Sequence, residues 1–225
     1  VAIGAPYNRN ENGVNSGHVR IYDYNGSAWV KVGADIDGEA TSDNSGRSVS
    51  LSSDGSRVAI GAKDNAGNGS DSGHVRVFKY QVISGTATWT QLGLVIDGEV
   101  AGDNSGRSVS FSSDGSRVAI GASGNDENRS NSGHVRIYNY NGSAWVQVGE
   151  DIDGEAASDS SGRSVSMSSD GSRVAIGATY NSGNGTNSGH VRVYSAGPTP
   201  SPATLTITSN DSDNLITSGQ VTLTA

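Results

Sequence analysis

Along most of this chain, apolar and polar residues alternate with a period of two, in short runs broken by glycine, asparagine and serine. The run "GRSVSLSS" sets Val49 and Leu51 between Ser48, Ser50 and Ser52, the pattern of a strand with one small-residue face and one apolar face. Asp54-Gly55 follows, and then "RVAIGA". Asp-Gly between alternating runs predicts a hairpin closed by a type I′ turn, with both turn residues at positive φ. The Asn/Gly/Ser-rich stretch "KDNAGNGSDSG" leads to "HVRVFKY", and a polar turn leads on to "TWTQLG". These are a third and a fourth strand. The acidic segment "DIDGEATSDNSG" reads as the connection to the next first strand.

The pattern repeats. "SSDGSRVAIGA" begins at Ser52, at Ser112 and at Ser168, and "SGHVR" places histidines at His18, His74, His134 and His190, in steps of 56, 60 and 56 residues. The longer step comes from "FKYQVISGTATW", a hairpin tip of variable length. Four-stranded antiparallel units repeated without helices predict an all-β chain of β-propeller blades. Small residues on one face (Ser50, Ala59, Gly61) and branched ones on the other (Val49, Val58, Ile60) would let neighbouring blades stack large against small. Residues 1–34 supply strands two to four of a first blade, and the fourth blade has strands one to three, ending near Tyr194.

Composition agrees with this class and narrows the chemistry. One third of the residues are hydrophobic and 32 of 225 are glycine, which suits short strands and tight turns. The absence of cysteine removes disulfides, thiol nucleophiles and zinc-thiolate sites. No apolar run approaches the roughly 18 residues of a membrane helix, and a net charge of −8 argues against a nucleic-acid surface. Ten of the twelve arginines recur in register, and the acidic residues concentrate in the segments between units.

Together, "SGRSVS", "VAIGA" (with "VAIGAP" at Val1–Pro6), "GHVRVY" and the tryptophan strand resemble the FG-GAP repeat of integrin α-subunit propellers and their bacterial relatives, over residues 1–194. The phenylalanine of the motif is replaced by Ser45, Ser105 and Ser161. The family's calcium loop, DxDxDG between strands one and two, is here only "SSDGSR", too poor in oxygen ligands for calcium, so that site is not carried over. The resemblance implies a ring of about seven blades, within the range of four to eight. The chain, starting at Val1, then reads as a fragment of such a ring. Residues 195–202, "SAGPTPSP", form a proline-rich linker. Residues 203–225 alternate again and resemble the opening of a bacterial immunoglobulin-like β-sandwich, cut short at the C-terminus.

Candidate chemistry is sparse. The four histidines lack a metal-binding motif, and their recurrence points to imidazoles bonded to loop backbone. No nucleophile elbow surrounds Ser48, Ser108 or Ser164. Trp29, Trp89 and Trp145 could stack on sugars, but one per unit on an outer strand fits packing between blades better. The acidic segments are the remaining metal candidates, with Asp37, Glu39 and Asp43 matched by Asp97, Glu99 and Asp103 and by Asp153, Glu155 and Asp159. Weak calcium binding there competes with a plainer reading, in which the carboxylates cap backbone N–H groups or pair with Arg47, Arg107 and Arg163.

The expectation is a non-enzymatic binding or adhesion module of a large secreted or cell-surface bacterial protein, with a protein or glycan ligand on a cell or matrix surface. It would have no nucleic-acid partner and no membrane span in these residues. A structural spacer without a ligand is the alternative, and a propeller-fold enzyme is a weaker one.

Overall fold

The computed structural model describes residues 1–197; the immunoglobulin-like segment and most of the linker lie outside the described residues. The described chain is all strand and loop, in four antiparallel sheets arranged like propeller blades. Unit one contains β1 (Ala2–Ala5), β2 (His18–Tyr24), β3 (Trp29–Lys31) and β4 (Ile36–Asp37). Unit two contains β5 (Ser48–Leu51), β6 (Arg57–Ala62), β7 (His74–Ile83), β8 (Thr86–Gln91) and β9 (Ile96–Asp97). Unit three contains β10 (Ser105–Phe111), β11 (Arg117–Ala122), β12 (His134–Tyr140), β13 (Trp145–Gln147) and β14 (Ile152–Asp153), and unit four β15 (Ser161–Met167), β16 (Arg173–Ala178) and β17 (His190–Ser195). Among the described residues no helix is long and apolar enough to cross a membrane.

The large-against-small stacking is realised at three junctions. Ser48 and Ser50 pair with Gly61 and Ala59 across β5 and β6, which sets these four small residues on one face. That face meets the next unit so closely that Ser48 Oγ donates to the Gly106 carbonyl at 2.8 Å and the Phe111 amide donates to Ser50 Oγ at 3.0 Å. The same bonds recur one unit later, from Ser108 Oγ to Gly162 O and from Met167 N to Ser110 Oγ. Each apolar cluster accordingly spans two units: Val19, Ile21 and Ile36 with Val58 and Ile60; Val75 and Val77 with Val118 and Ile120; Val135 and Ile137 with Val174 and Ile176. Burial of branched side chains against a neighbouring sheet is the main driving force for stacking.

Two expectations are corrected. The Asp-Gly turn is not type I′: Gly55 has φ 70° but Asp54 is not at positive φ. Ser52 N donates to Arg57 O at 3.0 Å and Gly55 N to Ser52 O at 2.9 Å, closing a four-residue loop. Flanking serines cause this, because Ser52 Oγ accepts from Arg57 N and donates to Asp54, whose carboxylate also accepts from Ser56 N. The Ser52 hydroxyl thereby holds the Asp54 carboxyl at about 2. The two-residue turn with both residues at positive φ occurs at Ser84-Gly85, in the long hairpin of unit two. The second correction concerns the acidic segment, which is not all connection. Ile36–Asp37, Ile96–Asp97 and Ile152–Asp153 return to pair with the start of the third strand, Val19↔Ile36, Val75↔Ile96 and Val135↔Ile152, so the fourth strand is interrupted rather than finished. The isoleucine of each pair gives the reason, Ile36 and Ile96 being buried and Ile152 half-buried.

Candidate functional site

The loops joining the second and third strands vary in sequence, and they hydrogen-bond to the segments joining one unit to the next. Ser42 N donates to Val14 O, Gly102 N to Ser70 O and Ser158 N to Ser130 O, at 2.8 to 2.9 Å. Gly124 N and Tyr180 N donate to the carbonyls of Asp103 and Asp159, linking each segment to the next unit's loop. The result is a continuous layer of loops carried on constant strands.

Within that layer the nine acidic candidates divide into three roles. Asp43, Asp103 and Asp159 are buried. Asp43 accepts from the Glu39 and Ala40 amides, Asp103 from Glu99, Val100 and the Asn125 amide group, and Asp159 from the Ala156 amide and the Asn181 amide group. These carboxylates cap backbone N–H groups. Asp37, Asp97 and Asp153 lie in the returning short strands, and the carbonyls of Asp37 and Asp97 accept from Arg76 and Arg136 of the next unit at 2.6 and 2.7 Å. Glu39, Glu99 and Glu155 cross to the next unit and pair with Arg76, Arg136 and Arg192. The three carboxylates of one segment therefore point to three different places.

The arginines are also distributed differently from the expectation. Among the described residues, Arg47, Arg107 and Arg163 make no ion pair with the acidic segments, because the returning strand carries each glutamate past the first strand to the next unit's third strand. Instead they sit one per unit as a row: burial first, and then the charges of Arg47 and Arg163, push the Arg107 guanidinium down. Arg163 lies over the Tyr180 ring, 5.3 Å from its centroid. This is a positive row beside the loop layer of an acidic chain.

The histidines depart from their expected role. Among the described residues none of the four is hydrogen-bonded to loop backbone; each has a carboxylate oxygen 3.9 Å from Nδ1, supplied by Asp35, Glu39, Glu99 and Glu155 in turn. At His134 two more carboxylates arrive, Asp151 at 3.1 Å and Glu127, so that the ligand atoms of Glu99, Glu127, His134 and Asp151 all lie within 4.8 Å of one another. Glu99 alone among the nine sequence candidates joins this cluster. Glu127, His134 and Asp151 were missed as a metal set: Gly67 and Gly183 stand where Glu127 does and Val95 where Asp151 does, while unit one carries Glu11 and Asp35 at these positions, with Asp35 paired to Arg20 and Lys31.

Trp89 and Trp145 pack between units, whereas Trp29 is exposed. Trp89 Nε1 donates to Val32 O and Trp145 Nε1 to Leu92 O, at 2.9 and 2.8 Å, each in the preceding unit. Trp89 also borders an open groove of about 590 Å³ with Asp35, Arg76 and Phe78.

The family model described as FG-GAP repeat matches residues 89–138 and 152–194. No curated protein matches the chain. A solved structure from Bacteroides uniformis, whose name assigns it provisionally as a 6-phosphogluconolactonase, is 11% identical, with 82% of this chain and 79% of that chain covered and a TM-score of 0.27, a likeness that carries no argument. The chain carries FG-GAP repeats, built on four blades of a β-propeller.

Proposed function

We propose that this chain is a non-enzymatic recognition module, displayed outside the cell or on its surface, that binds an acidic protein or glycan ligand through the loop layer and the arginine row. The FG-GAP propeller is in general a protein-interaction scaffold. The observation that carries the finer reading is the row Arg47, Arg107 and Arg163, cations without a carboxylate partner among the described residues beside loops of varying sequence. Cations held in one row repel one another, and an acidic ligand would offset that repulsion. Variable loops on invariant strands are the usual place where repeat scaffolds keep recognition.

The test is direct. The chain is passed over immobilised matrix proteins and over sialylated, sulfated and neutral glycans. Retention by an acidic ligand that weakens with salt, and that falls in Arg107→Gln and Arg163→Gln, supports the reading. Failure to retain any ligand, or retention that both variants leave unchanged, overturns it and leaves a structural spacer.

A further inference from the structure

We propose that Glu99, Glu127, His134 and Asp151 form a divalent-metal site of the zinc type, unique to the third unit among the described residues. The inference is independent of the ligand reading above.

The argument starts from the imidazole. His134 has no exposed side-chain surface, and neither Nδ1 nor Nε2 has a hydrogen-bond partner. A fully buried ring with both nitrogens unsatisfied is costly, and native structures rarely leave one without a reason. Its Nδ1 lies beside the carboxylates, 3.1 Å from Asp151 Oδ2 and 3.9 Å from Glu99 Oε2, the nearer contact lying too far off the line of the ring N–H to be a hydrogen bond. A neutral imidazole offers one ring nitrogen as a lone-pair donor, which suits a metal ligand.

The carboxylates are positioned as ligands would be. Asp151 Oδ1 accepts from Gln147 Nε2 at 2.7 Å, which leaves Oδ2 turned towards the imidazole. Glu99 gives one oxygen to Arg136, with Oε1 at 3.3 Å, and directs the other towards His134. Outer hydrogen bonds that orient inner ligands are characteristic of metal sites. Three carboxylates whose ligand atoms lie within 4.8 Å of one another repel one another. A dication would remove that repulsion.

The donor set selects the metal. One imidazole nitrogen and three carboxylate oxygens suit zinc and its first-row neighbours. Calcium prefers six or more oxygens and would leave the imidazole unused.

Unit two supplies the internal control. His74 keeps its glutamate at the same 3.9 Å, but Gly67 and Val95 replace Glu127 and Asp151. Asp151→Val and Glu127→Gly therefore introduce residues that the same fold already accepts at the corresponding positions. The chain is stripped with chelator and titrated with zinc chloride by calorimetry, and its thermal midpoint is followed with and without zinc. The expected result is one equivalent bound and a higher midpoint, with affinity reduced roughly tenfold or more in each variant. Absence of zinc binding in the parent, or binding that both variants leave unchanged, overturns the assignment.

Discussion

Gly121 lies against Gly162 of the next unit so closely that a Cβ on Gly121 would stand 2.0 Å from the Gly162 carbonyl oxygen. Gly61 meets Gly106 in the same way, at 2.1 Å. The backbone is the obstacle here, and backbone in a stacked sheet cannot move aside. Gly121→Ala should cost about 1 to 3 kcal/mol through overpacking. Gly177 is the matching position in unit four, where a Cβ would press only on the Ser164 hydroxyl, which can rotate. Gly177→Ala should therefore cost clearly less than Gly121→Ala in urea unfolding. Equal costs would mean that contact between units does not constrain these glycines.

The tryptophans make a second contrast. Trp145 packs beside Phe111 and Tyr140, with centroids at 6.2 and 5.2 Å, and bonds Leu92 of the preceding unit. Trp29 is 60% exposed. Trp145→Ala is expected to lower stability by about 3 kcal/mol, and Trp29→Ala by less than about 1 kcal/mol. Similar losses in thermal melts would show that the tryptophans stabilise their own units rather than the junctions.

His74 predicts a pH dependence with a definite sign. Burial first, then the Arg76 charge, pushes its pKa down from 6.5 to about 4, while Glu39 faces it at 3.9 Å. The unfolded chain takes up the proton near 6.5 and the folded chain only near 4. Stability is therefore full above 6.5 and is lost as pH falls through that window, by on the order of 3 kcal/mol. Asp54, held at about 2, acts in a lower window, between 3.8 and 2. In chelator, urea midpoints at pH 7.5 and 4.5 should differ, and His74→Asn, which takes up no proton, should narrow the difference. An unchanged difference would remove His74 as the cause.

Much of the fold was legible because it is periodic. The alternation in "GRSVSLSS" and "RVAIGA", copied three times, marks the strands and the face that stacks. Features set by competition between local bonds were not legible. Ser52 and Ser56 offer Asp54 hydrogen bonds that outweigh the type I′ preference of Asp-Gly. Ile36 returns to the sheet because it can be buried there, which no alternation in "DIDGEA" announces. That return also decides which arginine each glutamate meets. The His134 cluster was hidden for another reason: it draws on residues 99, 127, 134 and 151, from two units, in three loops and one strand. Glu127 and Asp151 depart from Gly67 and Val95 of unit two but match Glu11 and Asp35 of unit one, and the set is completed only by Glu99 from the preceding unit, which no spacing within one repeat announces.

If chemistry arises at such departures, it should be transferable between units. The most direct test is a zinc titration of the Gly67→Glu, Val95→Asp double variant beside the parent chain. His74 and Glu39 already stand in unit two as His134 and Glu99 stand in unit three. Gly67 is not at positive φ, and its nearest obstacle to a Cβ is the Asn65 side chain at 3.0 Å. The account predicts one zinc equivalent in the parent and two in the double variant, with Asp151→Val in that background returning it to one. A double variant that folds and still binds a single equivalent, or none, would contradict it.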